Sequence, residues 1–429
     1  MKYFILDATA QKTEARFRGL AGKYIAWQVA ELGGAVVERA SQADVILATI
    51  VAPHEWECLP RALKRVGVSP LPGDRAQLVI LGGQGAMAPK IFERYIDLAC
   101  IGEGQSFLRA LVGEGFAAAA ALPNAWRPGQ VEQAIPDQQF PWDAPPTMAE
   151  DGIVRIYASR GCKKKCLFCQ TGWQMPYQET VDQRLAQQVD RLKASGYRVA
   201  VVTNDAPALS FFSTLDMDEH FSASYSQTLE ILEKGAGAFP KVKTVRFGVE
   251  APSSRLRAPV GKPIVTEDLF RVTCELLNQG IGVRWFMIAG LPGERDEDYD
   301  DLKRVVVEAR HKITKGALQL SFTAFCPDPA APLCLLPLVD DYWPRYRAFQ
   351  EWFFGGEGFT RKIQIFKPAA PAARMRHAMG AMAATEAELR HGWLDKDPPN
   401  WQAVRYHLED RARRACAVYA ARVGIGSAR

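Results

Sequence analysis

Residues 159–172 read SRGCKKKCLFCQTG, which places Cys162, Cys166 and Cys169 within eight positions. The stretch VRIYAS just before it reads as a strand, so the three thiols sit on a loop at a strand end. A polar, lysine-rich loop is a poor place for cysteines that only pack. A structural zinc site takes four protein ligands, and no further cysteine or histidine lies beside the trio. The spacing Cys-x3-Cys-x2-Cys suits a different task. Such a loop wraps one face of an iron–sulfur cube and supplies thiolates to three of its four irons. The fourth iron is then open to chelate a small molecule through amine and carboxylate groups. Lys163, Lys164 and Lys165 read as a solvated loop face that also suits an anionic cluster or an electron donor.

Outward from this loop the chain keeps alternating strand and helix. VRIYAS, RVAVVTND, TVRFGVEA, VRWFMIAGLPG and LQLSFTAFCP read as strands, separated by helical segments such as ETVDQRLAQQVDRLKASG and TEDLFRVTCELLNQG. Serial βα units predict a full or partial β/α barrel over residues 151–335, with chemistry at the carboxyl ends of its strands. Residues 1–115 alternate in the same way (KYFILDA, ADVILATIVAP, AQLVILGG and DLACIGEG as strands), which predicts a Rossmann-like, doubly wound parallel sheet. Residues 116–150, rich in Pro and Gly, read as a linker laid over another domain's surface. Residues 336–429 read as mostly helical. The expected fold class is therefore α/β: a Rossmann-like domain, a partial barrel and a helical C-terminal region.

At 429 residues, 48% hydrophobic and 24% charged, the composition is that of a folded multidomain protein, not a disordered one. No apolar run is long enough to span a membrane, and the N-terminus reads as a first strand. Nine scattered cysteines do not form a disulfide framework, which predicts a reducing cytoplasm. The net charge is +5, but residues 361–429 carry 13 Lys/Arg against 6 Asp/Glu. That bias is read as a solvated helical surface, with an anionic partner as the alternative.

The three-cysteine loop with Phe168 before its last cysteine, followed by FGVEAPSSRLR and FMIAGLPGE, resembles the radical S-adenosylmethionine (SAM) superfamily over about residues 151–335. The resemblance implies a partial (β/α)6 barrel and a [4Fe–4S] cluster on Cys162, Cys166 and Cys169. It also implies SAM on the open iron, and a 5′-deoxyadenosyl radical that takes hydrogen from a substrate. It nominates Phe168, Asn204, Asp205, Glu250, Arg284, Gly290 and Pro292 as SAM contacts, the last two in the GLPGE turn that lets backbone approach the adenine. It further implies an electron donor such as flavodoxin or ferredoxin. For Glu250 and Arg284 a structural ion pair is the alternative, and for GLPGE an ordinary strand-to-helix turn.

The segment ILGGQGAMAPKIFERYIDLACIGEGQ resembles the cobalamin (B12)-binding domain of class B radical SAM enzymes. That places Thr49, Gly82, Gly83 and Gly102 against a corrin, where glycines at strand ends let a flat macrocycle lie on the carboxyl edge of the sheet. The loop that supplies a cobalt-binding histidine in many cobalamin proteins is here DATAQKTEARFRG, which has none. His54 reads as a surface or helix-start residue. Cobalamin without a protein ligand below the cobalt is expected, the alternative being a domain that kept only the fold. Cys58 and Cys100 lack the context of a second cluster, and Cys326 and Cys334 read as packing residues.

SFTAFCPDPAAPL, ATEAELRHGW and NWQAVRYH resemble an uncharacterised group of cobalamin-domain radical SAM proteins. Arg374, Arg376, Arg390, Arg405, Arg411, Arg413 and Arg414, with Trp393 and Trp401, read as a helical cap over the substrate channel, or else as a nucleic-acid surface. The expected reaction is methylation of an unactivated carbon. A non-methylating rearrangement or cyclisation is the second reading, and an iron–sulfur nucleic-acid-binding protein the third. Peptide, protein, nucleic acid and small molecule all remain open as substrates.

Overall fold

The structure is a computed structural model, described for residues 1–9, 19–52, 55–56, 58–130, 134–140, 142, 145–148, 152–180, 182–203, 221–223, 225–233, 242–326, 328, 330–336, 342–356, 358–366 and 410–425. The first domain is a sheet of β1 (Lys2–Asp7), β2 (Ala35–Val36), β3 (Val45–Thr49), β4 (Leu78–Gly82), β5 (Leu98–Cys100) and β6 (Ala125–Trp126), in the order β2-β1-β3-β4-β5-β6. The first five are parallel and β6 is antiparallel to β5. Every residue of β3 is buried, as a central strand covered on both faces must be. Its Ile46 and Ala48 join a core with Leu59 and Leu63 of α2 (Cys58–Arg65). Val45 and Leu47 face Val29 of α1 (Leu20–Glu31) and Phe107 of α3 (Gln105–Gly113). This is a doubly wound order whose direction reverses between the paired strands β1 and β3, and in such sheets ligands bind outside the strands' carboxyl ends at that switch point.

The segment expected to be a linker is anchored at both ends. α4 (Phe116–Ala120) and β6 close the first domain, while β7 (Thr147–Met148) pairs antiparallel with the first barrel strand, β8 (Ile153–Tyr157). A short antiparallel pair of β9 (Ser159–Arg160) and β10 (Gln178–Glu179) flanks α5 (Thr171–Gln174). α6 (Asp182–Ala194) then leads to β11 (Arg198–Val202), which pairs parallel with β8. A five-stranded parallel sheet follows: β12 (Phe221–Ala223), β13 (Thr244–Glu250), β14 (Gly282–Ala289), β15 (Leu318–Ala324) and β16 (Ile363–Phe366). Its helices are α7 (Tyr225–Glu233), α8 (Ser254–Arg257), α9 (Thr266–Asn278), α10 (Asp298–Lys312) and α11 (Tyr342–Phe354). On β13 the buried residues Val245, Phe247 and Val249 alternate with half-buried ones. They join the core with Leu269 and Leu276 of α9, so Thr244, Arg246, Gly248 and Glu250 turn the other way, to the barrel interior.

Five strands fall where the sequence reading has none: β6, β7, β10, β12 and β16. β12 has only three residues, Phe-Ser-Ala, and β16 continues the barrel sheet from beyond residue 335, inside the region expected to be helical. The C-terminal helix α12 (Asp410–Val423) packs back on the barrel: the Tyr419 hydroxyl donates to the Pro292 carbonyl at 2.7 Å. No described helix is long and apolar enough to cross a membrane. Asn204, Asp205, His54, Arg374, Arg376, Arg390, Arg405, Trp393 and Trp401 lie outside the described residues.

Candidate functional site

The cysteine loop leaves β9 and is pinned from several sides. Leu167 N–H donates to Val260 O at 3.0 Å, the Trp173 indole donates to Cys166 O at 3.0 Å, and Cys169 N–H donates to Cys166 O at 3.2 Å. Gly172 is required by close approach, because a Cβ there would lie 1.9 Å from Lys164 O. Cys166 is buried, while Cys162 and Cys169 are half-buried. Lys164 N–H points at the Cys162 sulfur at 3.4 Å, and Thr171 hydrogen-bonds the Cys169 sulfur. Burial pushes the Cys166 thiol up to about 12, opposed by the charge of Lys262, while Cys169 and Cys162 add to the rise. The three sulfurs therefore share one electrostatic environment.

Among the described residues no three or more Cys, His, Asp or Glu side chains converge closely enough to hold a single metal ion. The trio thus does not make a mononuclear site, and Cys58 and Cys100 belong to no second one. A four-iron cube is far larger than an ion and is gripped by thiolates spread around it, which this loop provides. Its electropositive neighbour is Lys262, whose ammonium lies 3.2 Å from Glu250. Burial works against that charge, but Glu250 and the Cys166 sulfur outweigh it and hold the lysine above its ordinary pKa. Glu250 has φ 69°, the one non-glycine residue with positive φ among those described, at a register shift between β13 and β14. Strain of this kind costs on the order of 1 kcal/mol or more and gathers at functional sites. The Glu250 carboxylate folds back over Gly248 of the same strand, where it meets Lys262.

Arg284 is not brought to this place. It sits opposite Arg246, whereas Glu250 is opposite Met287. The Arg284 guanidinium donates to Gln319 at 2.8 Å and lies over the Phe366 ring at 4.8 Å. Phe168 packs partly buried against the barrel core. The GLPGE turn is folded on itself: Glu294 accepts from Gly290 N–H at 2.9 Å and from the Tyr299 hydroxyl at 3.3 Å. Gly290 and Pro292 are buried, and α12 lies over Pro292 and Gly293. The described part of the tail thus lies on the barrel, with Arg413 and Arg414 exposed.

Glu294 carries a pH consequence. Burial pushes its carboxyl up to about 7, against the pull of the Gly290 N–H and Arg345. The folded chain holds that proton at pH values where the unfolded chain has lost it. Stability therefore falls as pH rises from the ordinary carboxylate value toward 7, and the full loss, about 3 kcal/mol, is present above it. Glu294→Gln is expected to shrink the drop in urea midpoint between about pH 5 and pH 8, which urea titrations at the two ends measure.

The second half of the site is a cavity of about 220 Å3 between the two domains. Thr49, Gly82, Gly83 and Gly102, all nominated from sequence, line its floor at the carboxyl ends of β3, β4 and β5. Gly102 needs its glycine, with φ 86° and a would-be Cβ only 2.3 Å from Asp137 O. Gly82 is different: a Cβ there meets nothing within 4 Å, so the floor above it is open. Phe140, Trp142, Tyr157, Met175 and Arg160 form other walls. Arg160, two residues before Cys162, ion-pairs with Glu103 at 2.8 Å and lies 5.1 Å over Phe140 and 5.4 Å over Tyr157. Next to Gly83, Gln84 reaches the cluster loop: its side chain donates to Thr171 at 2.9 Å, and its carbonyl accepts from the Gln170 side chain at 3.2 Å.

Lys262, Glu103, Arg160, Tyr24, Gln28 and Gln84 were missed from sequence. Only Arg160 gave a signal, by standing beside the first cysteine. Trp173 and Met175 have distinct roles, one pinning the loop and the other lining the cavity.

Residues 156–306 match the family model described as the Radical SAM superfamily. No curated protein matches the chain. Among solved structures, the radical S-adenosylmethionine methyltransferase TsrM from Kitasatospora setae, with cobalamin and a [4Fe-4S] cluster bound, is similar at a TM-score of 0.56 and 15% identity. The match covers 97% of this chain and 99% of that one. The same enzyme with its tryptophan substrate and a SAM analogue bound matches over 78% of this chain and 75% of its own, again at 0.56 and 15%. OxsB, a cobalamin-dependent S-adenosylmethionine radical enzyme with aqua-cobalamin bound, matches at 0.55 and 14%, over 83% of this chain and 56% of that one. At these identities the likeness is one of fold.

Proposed function

Since the protein carries a radical SAM domain over residues 156–306, we propose that it is a cobalamin-dependent radical SAM methyltransferase acting on an unactivated carbon. One observation supports this above the others. The glycine-floored cavity and the cysteine loop are joined by Gln84 and by the Glu103–Arg160 pair, so the two places adjoin. The fold likeness to TsrM and OxsB is consistent with it.

When bound, the cluster, SAM and cobalamin supply hydrogen abstraction and methyl transfer; the chain supplies placement. Cys162, Cys166 and Cys169 would hold the cluster, with Lys262 countering its negative charge. Glu250, strained and tied to Lys262, adds a carboxylate near enough to Cys166 to raise its thiol. Thr49, Gly82 and Gly83 leave a flat seat, and Phe140, Trp142 and Tyr157 wall it with rings that keep water out. No histidine lines the cavity among the described residues, so the chain offers a corrin no imidazole from this wall. The electron donor, such as a flavodoxin or ferredoxin, and a cytoplasmic location belong to the same proposal.

The first experiment is cobalamin content, measured after anaerobic production in cells supplied with cobalamin. Stoichiometric cobalamin supports the reading. Its absence alongside an intact cluster would favour the non-methylating radical enzyme.

A further inference from the structure

Helix α1 turns one face toward the sheet and the cavity. Leu20, Ile25 and Val29 on it are apolar and pack in the first domain. Tyr24 and Gln28 break that pattern. They stand four residues apart, hence one above the other on the helix, and both line the cavity. Gln28 is only 5% exposed. The Tyr24 hydroxyl oxygen and Gln28 Oε1 are each shut off from water, and neither has a hydrogen-bond partner among the described residues. Buried polar atoms are nearly always paired in native proteins, because leaving one unmade costs folding free energy. Two orphans a turn apart on one cavity wall point to a partner that arrives from outside the chain.

The chemistry of that partner can be read from the wall. The nearby carboxylate, Glu103, is already taken by Arg160 at 2.8 Å. It also raises the Tyr24 hydroxyl further above the ordinary value, after burial, which keeps Tyr24 neutral and able to donate. What the pair offers is one hydroxyl donor and one amide oxygen acceptor. A primary carboxamide matches both at once: its carbonyl accepts from Tyr24 and its NH2 donates to Gln28. With the Gln28 amide turned over, the arm's carbonyl accepts from both Tyr24 and Gln28 instead. A carboxylate has no N–H to give to the Gln28 oxygen.

Resting on the corrinoid reading of the cavity, we propose that Tyr24 and Gln28 form the recognition point for a primary-carboxamide arm of the corrin ring. They thereby select an amidated corrinoid over a carboxylate-bearing tetrapyrrole.

The test uses the full chain with its cluster, stripped of corrinoid, titrated with hydroxocobalamin while tryptophan fluorescence is followed. Tyr24→Phe and Gln28→Leu are each expected to weaken binding roughly tenfold, the size of one lost hydrogen bond. Because both hold the same arm, the double variant loses less than the product of the two. Corrinoid-free melting temperatures decide against a merely structural role. Removing an orphaned buried polar atom leaves the corrinoid-free protein as stable as wild type or more so. Variants that melt lower when empty yet bind hydroxocobalamin like wild type would overturn the assignment. A wild-type protein that takes up no hydroxocobalamin would instead overturn the corrinoid reading itself. A third variant, Gln28→Glu, keeps the shape and adds charge, and it too is expected to bind more weakly.

Discussion

Replacing Cys166 with alanine is expected to give a folded protein that holds no iron–sulfur cluster and cleaves no SAM. Cys166 is the central thiol of the trio and the most enclosed of them, with its sulfur 3.9 Å from Gly261 O. Losing it leaves two thiolates, and two cannot fix a cube whose fourth iron must stay open for chelation. The loop itself should survive, since its ties run through backbone groups of Leu167, Cys166 and Cys169 and the Trp173 indole. Iron content and the visible absorbance of anaerobically reconstituted protein measure the outcome. Cys334→Ala is the control. That residue is fully buried beside Ala412 of α12 and stands outside the loop, so its truncation should lower stability by about 1 kcal/mol and leave iron content unchanged. A Cys166→Ala protein that retains a full cluster would remove the cysteine loop from its assigned role.

Gly82→Trp is expected to abolish cobalamin retention without disturbing the cluster. Most cavity-lining glycines cannot report on ligand binding cleanly, because the backbone itself suffers. At Gly102 even alanine is refused, by Asp137 O at 2.3 Å and by φ 86°, which a side chain adopts only at a cost of about 1 kcal/mol or more. At Gly83 a Cβ would sit 2.6 Å from Ile50 O. Gly82 alone of the floor glycines faces open space, at the end of β4 where the sheet edge meets the cavity. An indole there occupies the seat of a planar macrocycle and nothing else. Cobalamin content should drop to background while iron content and melting temperature hold. Wild-type cobalamin content in Gly82→Trp would mean that the corrinoid, if bound, lies elsewhere.

What the sequence made legible divides along physical lines. Cys162, Cys166 and Cys169 were legible as a candidate cluster loop because ligands supplied by one loop lie close in the chain. Thr49, Gly82, Gly83 and Gly102 were readable because doubly wound sheets put ligands at strand ends, and the structure brings all four to one cavity. The remainder depends on contacts between distant segments. Lys262 reaches Glu250 and Cys166 only once the loop after α8 folds back, and Gln84 meets Gln170 only across the two domains. Arg284 shows the same limit from the other side. Its strand was foreseen, but the register that sets it against Arg246 rather than Glu250 was not. Strands β12 and β16 escaped because three or four residues carry too little alternation to stand out from loop or helix. Tyr24 and Gln28 look in sequence like ordinary polar positions of a helix, and only their burial makes them conspicuous.

The central claim is methyl transfer, and product analysis tests it most directly. Protein loaded with cluster and cobalamin, reduced and given SAM with no other substrate, is expected to release S-adenosylhomocysteine in an amount matching the protein. S-adenosylhomocysteine at background, with SAM converted to 5′-deoxyadenosine alone, would contradict methyl transfer and leave the radical chemistry of residues 156–306 to another reaction.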